Sequence, residues 1–140
     1  MLISQIAKYL TAAAVVTFSE DTAGGDCFIE KLPQDPDAAV ALIGTGGFRS
    51  DSKLGYASPT FQVLVRGAPS DPRAAEAKAQ AIYDALHGLR NTTLDDGTWL
   101  VSCFGIQSAP VHVERDARDR HLYSLNFLAE IELVTTHSEP

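Results

Sequence analysis

The chain has 140 residues, 45% of them hydrophobic and 21% charged, and a formal net charge of -7. That is the make-up of one folded domain with room for a proper core, and it excludes a disordered chain. The acidic balance argues against gripping nucleic-acid phosphates by neutralising them, and suits a surface that DNA passes without sticking.

Residues 2 to about 15 read as a first helix, because Leu2, Ile6, Tyr9, Leu10 and Ala13 share one face while Ser4, Gln5, Lys8 and Thr11 point elsewhere. Gln5 and Lys8 also interrupt the apolar run, and no basic leader precedes it, so it is not read as a signal peptide. No stretch reaches the roughly 20 apolar residues that cross a bilayer, and the expectation is a protein made and kept in the cytoplasm.

The segment SEDTAGGD (19–26) consists of turn formers. CFIEKL (27–32) is a short strand, PQDPD (33–37) a turn and AAVALIG (38–44) a second strand. GTGGFRSDSKLGYASP (44–59) is a long irregular loop carrying Phe48, Leu54 and Tyr56, and loops of that length in small domains are usually functional or mobile. In TFQVLVRG (60–67), Phe61, Val63 and Val65 alternate with Gln62 and Arg66, a half-buried strand.

SDPRAAEAKAQAIYDALHGL (70–89) is the clearest helix. Ser70 or Asp71 caps it, Pro72 opens it and Gly88 closes it. Ala75, Ala79, Ile82, Leu86 and Leu89 form one apolar stripe. NTTLDDG (91–97) turns the chain into TWLVSCFGIQSAPVHVE (98–114), and RDARDR (115–120) forms a charged hairpin tip before HLYSLNFLAEIELV (121–134). In that last strand Tyr123, Leu125, Phe127, Ala129, Ile131 and Leu133 face one way and Ser124, Asn126, Glu130 and Glu132 the other. Its partner is expected to place Trp99, Val101 and Cys103 on one side and Leu100, Phe104 and Ile106 on the other, so both of its faces need cover.

The order gives an α+β fold: a mostly antiparallel sheet of about five strands, two main helices packed on it and a long C-terminal β-hairpin. The expectation is a single domain over 1–140, with 135–140 a flexible tail. Arms of about 14 to 17 residues would reach on the order of 45–55 Å, beyond the roughly 14 Å radius of such a domain. Either the arms bend at Gly105 and Pro110, or the hairpin projects towards a neighbour.

No chemistry stands out. The glycine run Gly44-Thr45-Gly46-Gly47 has Arg49 where a dinucleotide fingerprint needs its third glycine, and a loop rather than a helix follows. His112 and His121 flank the hairpin tip, but two histidines do not close a zinc site. Cys27 and Cys103 read as reduced core thiols rather than a disulfide scaffold. Asp35, Asp37, Asp95 and Asp96 sit in turns, where they cap their own backbone. No GxSxG elbow surrounds Ser58 or Ser102. Arg115, Arg118 and Arg120 alternate with Asp116 and Asp119, either a solvated tip or a knob that a partner recognises. No catalytic, cofactor or metal site is expected, and the chain is not read as an enzyme.

Several passages carry a resemblance. The apolar N-terminal helix with Leu2, Ile6 and Leu10, the passage FRSDSKLGYASPTFQVLVRG (48–67), the helix ending AQAIYDALHGL (79–89) and the closing strand HLYSLNFLAEIEL (121–133) resemble the tail-terminator and minor capsid proteins of long, non-contractile-tailed phages. The resemblance implies a virion protein that forms a ring, six-fold in that family, at the head-proximal end of the tail tube. Its partners would be its own copies, the tail tube protein and the head-side connector, with DNA passing through the lumen and no membrane involved. A head-side stopper of the neck is the alternative, and a small-molecule-binding domain using the 44–59 loop is the alternative of another class. The residues expected at subunit or partner interfaces are Phe48, Arg49, Leu54, Tyr56, Trp99, Leu100, Phe104, Arg115, Arg118 and Arg120.

Overall fold

In a computed structural model, which describes residues 1–19 and 24–139, the sheet is built around its last strand. The elements in chain order are α1 (Leu2–Ala12), β1 (Cys27–Ile29), β2 (Ala39–Gly44), β3 (Tyr56–Ala57), β4 (Thr60–Arg66), α2 (Pro72–Leu86), β5 (Leu89–Thr93), β6 (Trp99–Gly105), β7 (Val111–Arg115) and β8 (His121–Glu132). Part of the expected break at 19–26 lies outside the described residues.

The strand order is β1-β2-β4-β8-β6-β5, with β3 and β7 also paired to β8. On one flank β8 pairs with β4 along Leu122–Leu128 and with β3 at Ile131 and Glu132. On the other flank it pairs with β7 near His121–Ser124 and with β6 along Phe127–Ile131. All of these pairs are antiparallel; β1 and β2 are parallel.

One face of the sheet is apolar because the strands alternate in register. Val40, Val65 and Tyr123 stand side by side, as do Leu42, Val63 and Leu125, and all are buried. Phe61 stacks on Phe127 with ring centroids 5.3 Å apart. Against this face α1 buries Ile3, Ile6, Ala7 and Leu10, and α2 buries Ala75, Ala79, Ile82 and Leu86, which together form one core. Burying such side chains is worth about 1.5–3 kcal/mol each for the large aliphatics, which is what holds two short helices in place.

Asp71 caps α2 by accepting from the Ala74 N–H at 3.2 Å, and Pro72 follows at the first turn. At the other end Gly88 takes a left-handed φ of 85° and donates its N–H to the Cys103 carbonyl at 2.7 Å. The helix therefore ends at Leu86, three residues before its apolar stripe does.

Eight strands replace the expected five for three reasons. Leu89–Thr93, where Leu89 is expected to end the helix and 91–93 to begin a turn, is a strand paired with β6. Tyr56–Ala57 adds a short strand inside the long loop. The arm 98–114 splits into β6 and β7, so of the two alternatives the arm breaks, between Gly105 and Val111, and does not project as one long strand. Across this break Gln107 replaces the ladder, its Oε1 accepting from the Asn126 N–H at 3.0 Å and its Nε2 donating to the Ser124 carbonyl at 2.8 Å.

The two faces of β6 also differ from expectation. A bulge between Leu100 and Ser102 shifts the register by one residue. Leu100 and Cys103 consequently share the helix-facing side and are fully buried, while Trp99, Val101 and Phe104 are half-buried. β8 ends at Glu132, so Leu133, expected to face the core, is exposed.

Candidate functional site

The expected interface residues fall into two corners at opposite ends of β8, with Phe104 part-way along it. At the C-terminal end, β3 sets Tyr56 opposite Glu132 and Ala57 opposite Ile131. The Leu133 N–H donates to the Gly55 carbonyl at 2.6 Å, and the Glu139 N–H to the Lys53 carbonyl at 3.0 Å, so the chain end and the 53–55 stretch run together. Phe48 joins them through a bridge to Ser58 and is 68% exposed. Leu54, Tyr56, Leu133 and Val134 are exposed as well, and Arg49 stands beside them on the surface. On the other flank Leu100 pairs with the same Ile131, which brings half-buried Trp99 to this end of the sheet.

At the N-terminal end of β8 the three tip arginines separate. Arg115 and Arg118 have side chains 65% and 56% exposed, held at 3.3 Å by Asp119 and at 3.8 Å by Asp35 and Asp37. Arg120 is 3% exposed and is bound within the subunit: its Nε donates to Asp116 Oδ2 at 2.7 Å and its Nη1 to the Gln34 carbonyl at 2.7 Å. Val111 and Val113 beside this tip are exposed, as is Ile106, whose N–H donates to the Asn126 carbonyl at 2.8 Å farther along β8. Leu100, like Arg120, is core rather than surface, its side chain hidden by the bulge described above.

Phe104 lies under the Arg90 guanidinium, 5.1 Å from the ring centroid, and meets His87 edge-on. His112 Nε2 and His121 Nδ1 are 2.9 Å apart, the cross-strand contact their spacing suggested. Among the described residues no three His, Cys, Asp or Glu side chains come together as metal ligands. Burial pushes both thiols, Cys27 and Cys103, up to about 12, which leaves them unreactive at neutral pH.

A cleft of about 180 Å³ lies between α2 and the ends of β2 and β4, walled by Ala39, Val40, Gly67, Ala75 and the paired Asp26 and Lys78. No residue of the 44–59 loop lines it, and a second hollow is formed by that loop's own Arg49–Ser52. Among the described residues no helix is long and apolar enough to cross a membrane.

A protein-family model described as bacteriophage tail terminator protein matches residues 9–133. The chain belongs to the bacteriophage tail terminator family. It is thereby a structural component of a phage-type virion. A solved chain from "Virion of native gene transfer agent (GTA) particle" is similar to it, with a TM-score of 0.63 and 23% sequence identity over 94% of each chain, a likeness in fold. No curated protein sequence matches.

The residues that sequence reasoning missed in the two corners are Val111, Val113, Leu133 and Val134. Their signal was hidden: Val111 and Val113 lay in an arm whose bend and bulge a period of two does not place, and Leu133 and Val134 in a strand expected to run past the end of β8.

Proposed function

We propose that this chain is the tail terminator of a phage-like particle, assembling into a closed ring of six copies that caps the tail tube and meets the head-side connector. The observation that carries this reading is the family match over residues 9–133. DNA passes through the lumen without specific contacts, which the net charge of -7 supports by repelling phosphates. The role is structural rather than catalytic, and the protein is made in the host cytoplasm before joining the virion.

Ring closure needs head-to-tail contacts, hence two unlike surfaces on each subunit. The two corners of β8 supply them. Phe48, Arg49, Leu54, Tyr56 and Trp99 belong to one, Arg115 and Arg118 to the other, and Phe104 lies between. Leu100 and Arg120 act from behind, fixing the strands on which these side chains stand. Exposed apolar groups gathered at one sheet end are what an interface requires and what a lone subunit has no use for.

Native mass spectrometry of the purified protein, alone and mixed with tail tubes, tests the reading. The expected assembly has a mass of about 90 kDa, six times the 15.0 kDa of the chain. A 15.0 kDa species alone under both conditions contradicts it.

A further inference from the structure

The ring reading leaves open which surface meets which, and the placement of exposed apolar and charged groups decides between the possibilities. Leu54, Tyr56 and Val134 stand exposed where β3 meets the end of β8. Ile106, Val111 and Val113 stand exposed along the first half of β8, on its other flank, with Ile106 bonded to Asn126 and Val111 opposite Ser124. Ser124 and Glu132 are eight residues apart and Asn126 and Glu132 six, so the two clusters are separated by about 20–27 Å at the rise of a strand. Surfaces that far apart, on opposite flanks of one strand, do not pair within a subunit. An A-to-B contact between copies leaves a second A and B free to continue, whereas self-pairing of either cluster stops at a dimer.

Both rims carry charges of both signs, and each offers a specific partner to the other. Glu130 and Glu132 are exposed beside the first cluster, which also carries exposed Arg49, and neither glutamate is in an ion pair among the described residues. The second cluster is flanked by exposed Glu114 and by Arg115 and Arg118, whose own partners are exposed carboxylates at 3.3 to 3.8 Å. Contacts so loose and so wet contribute little inside the subunit, which leaves both guanidinium groups available to a closer carboxylate.

We infer that a second copy of this chain seats its Leu54–Tyr56–Val134 corner on the Ile106–Val111–Val113 corner of the first, with Glu132 meeting Arg115 and Arg118 across the rim. The contact rests on the ring reading and gives it an orientation. The apolar centre excludes water, and the rim charges fix which end of the neighbour is accepted.

Charge reversal tests this. Glu132→Arg, the pair Arg115→Glu with Arg118→Glu, and the three substitutions combined are compared with wild type by native mass spectrometry, with melting curves as the control for folding. Each single-sided reversal is expected to lower the assembled fraction by about tenfold or more, and the combination to restore most of it. If wild type assembles and both reversals assemble equally well, the ring stands and this contact is wrong. If wild type assembles with neither itself nor tail tubes, the ring reading fails and takes the contact with it. As an independent check, Leu54→Cys combined with Val113→Cys is expected to form disulfides between subunits, since the native cysteines are buried. Rings that form without such cross-links overturn the pairing.

Discussion

Arg66 and Arg120 reach into the same turn from different strands: Arg66 Nε donates to the Asp37 carbonyl at 2.8 Å, and Arg120 Nη1 to the Gln34 carbonyl at 2.7 Å. Arg66 closes β4 and Arg120 immediately precedes β8, so the two clasp the 33–37 turn over the end of the β4–β8 pair. Both guanidinium groups are buried, and burial first, then the neighbouring Arg120, lowers the Arg66 pKa. Backbone carbonyls and the carboxylates of Asp116 and Asp37 offset that cost.

Arg120→Ala should therefore destabilise the fold by about 3 kcal/mol, since it strips the carbonyl of Gln34 and the carboxylate of Asp116 of a charged donor at once. Arg115→Ala, on the exposed side of the same tip, should stay within about 0.5 kcal/mol. Urea unfolding of the two variants separates the roles; equal losses would mean that the clasp is not structural.

The same clasp gives the fold a dependence on acid. The Arg120 N–H, followed by its side chain, holds Asp116 below the ordinary carboxylate value of 3.8. A carboxyl depressed on folding contributes stability above its unfolded value and loses it as pH falls through the folded one. The difference in Tm between wild type and Asp116→Asn should hold steady down to about pH 5 and shrink below pH 3.8. A difference that stays constant to the lowest pH at which the protein is folded would contradict this origin.

Gly105 has no room for a methyl group, because a Cβ there would sit 2.4 Å from Tyr83 Cε2. Gly105→Ala should cost about 1–3 kcal/mol by overpacking, and much less in a Tyr83→Ala background, where the ring is gone. Additive losses in the double variant would show that the contact is not the cause.

Native Cys27 and Cys103 should resist alkylation at pH 8 for as long as the protein stays folded, because burial keeps both as thiols. Denaturant should expose both to rapid labelling. A fast-reacting thiol in the native state would place one of them at the surface.

The sequence reading succeeded where a local rule decided the outcome. Asp71 and Pro72 start α2 as their chemistry requires, and the alternation from Tyr123 to Ile131 gives the buried face of β8 residue by residue. It failed where the structure departs from regular pairing. Val101 and Val113 are the extra residues of two bulges, which a period of two does not register, and each moves its neighbours to another face. Arg120 reads like Arg115 and Arg118 in the sequence, and only the return of the 33–37 turn to the hairpin tip sets it apart. In the two corners, Phe48, Leu54 and Tyr56 were legible as large apolar groups on a loop without periodicity. Val134 was not, because its exposure depends on where β8 stops.

The central claim, that this chain ends the growth of a tail and closes it towards the head, is tested most directly by electron microscopy of particles made without it. The account predicts tails of uncontrolled length that are not joined to heads, with defined tails and joining restored when the wild-type protein is supplied. Tails of normal length, joined to filled heads in its absence, would contradict it.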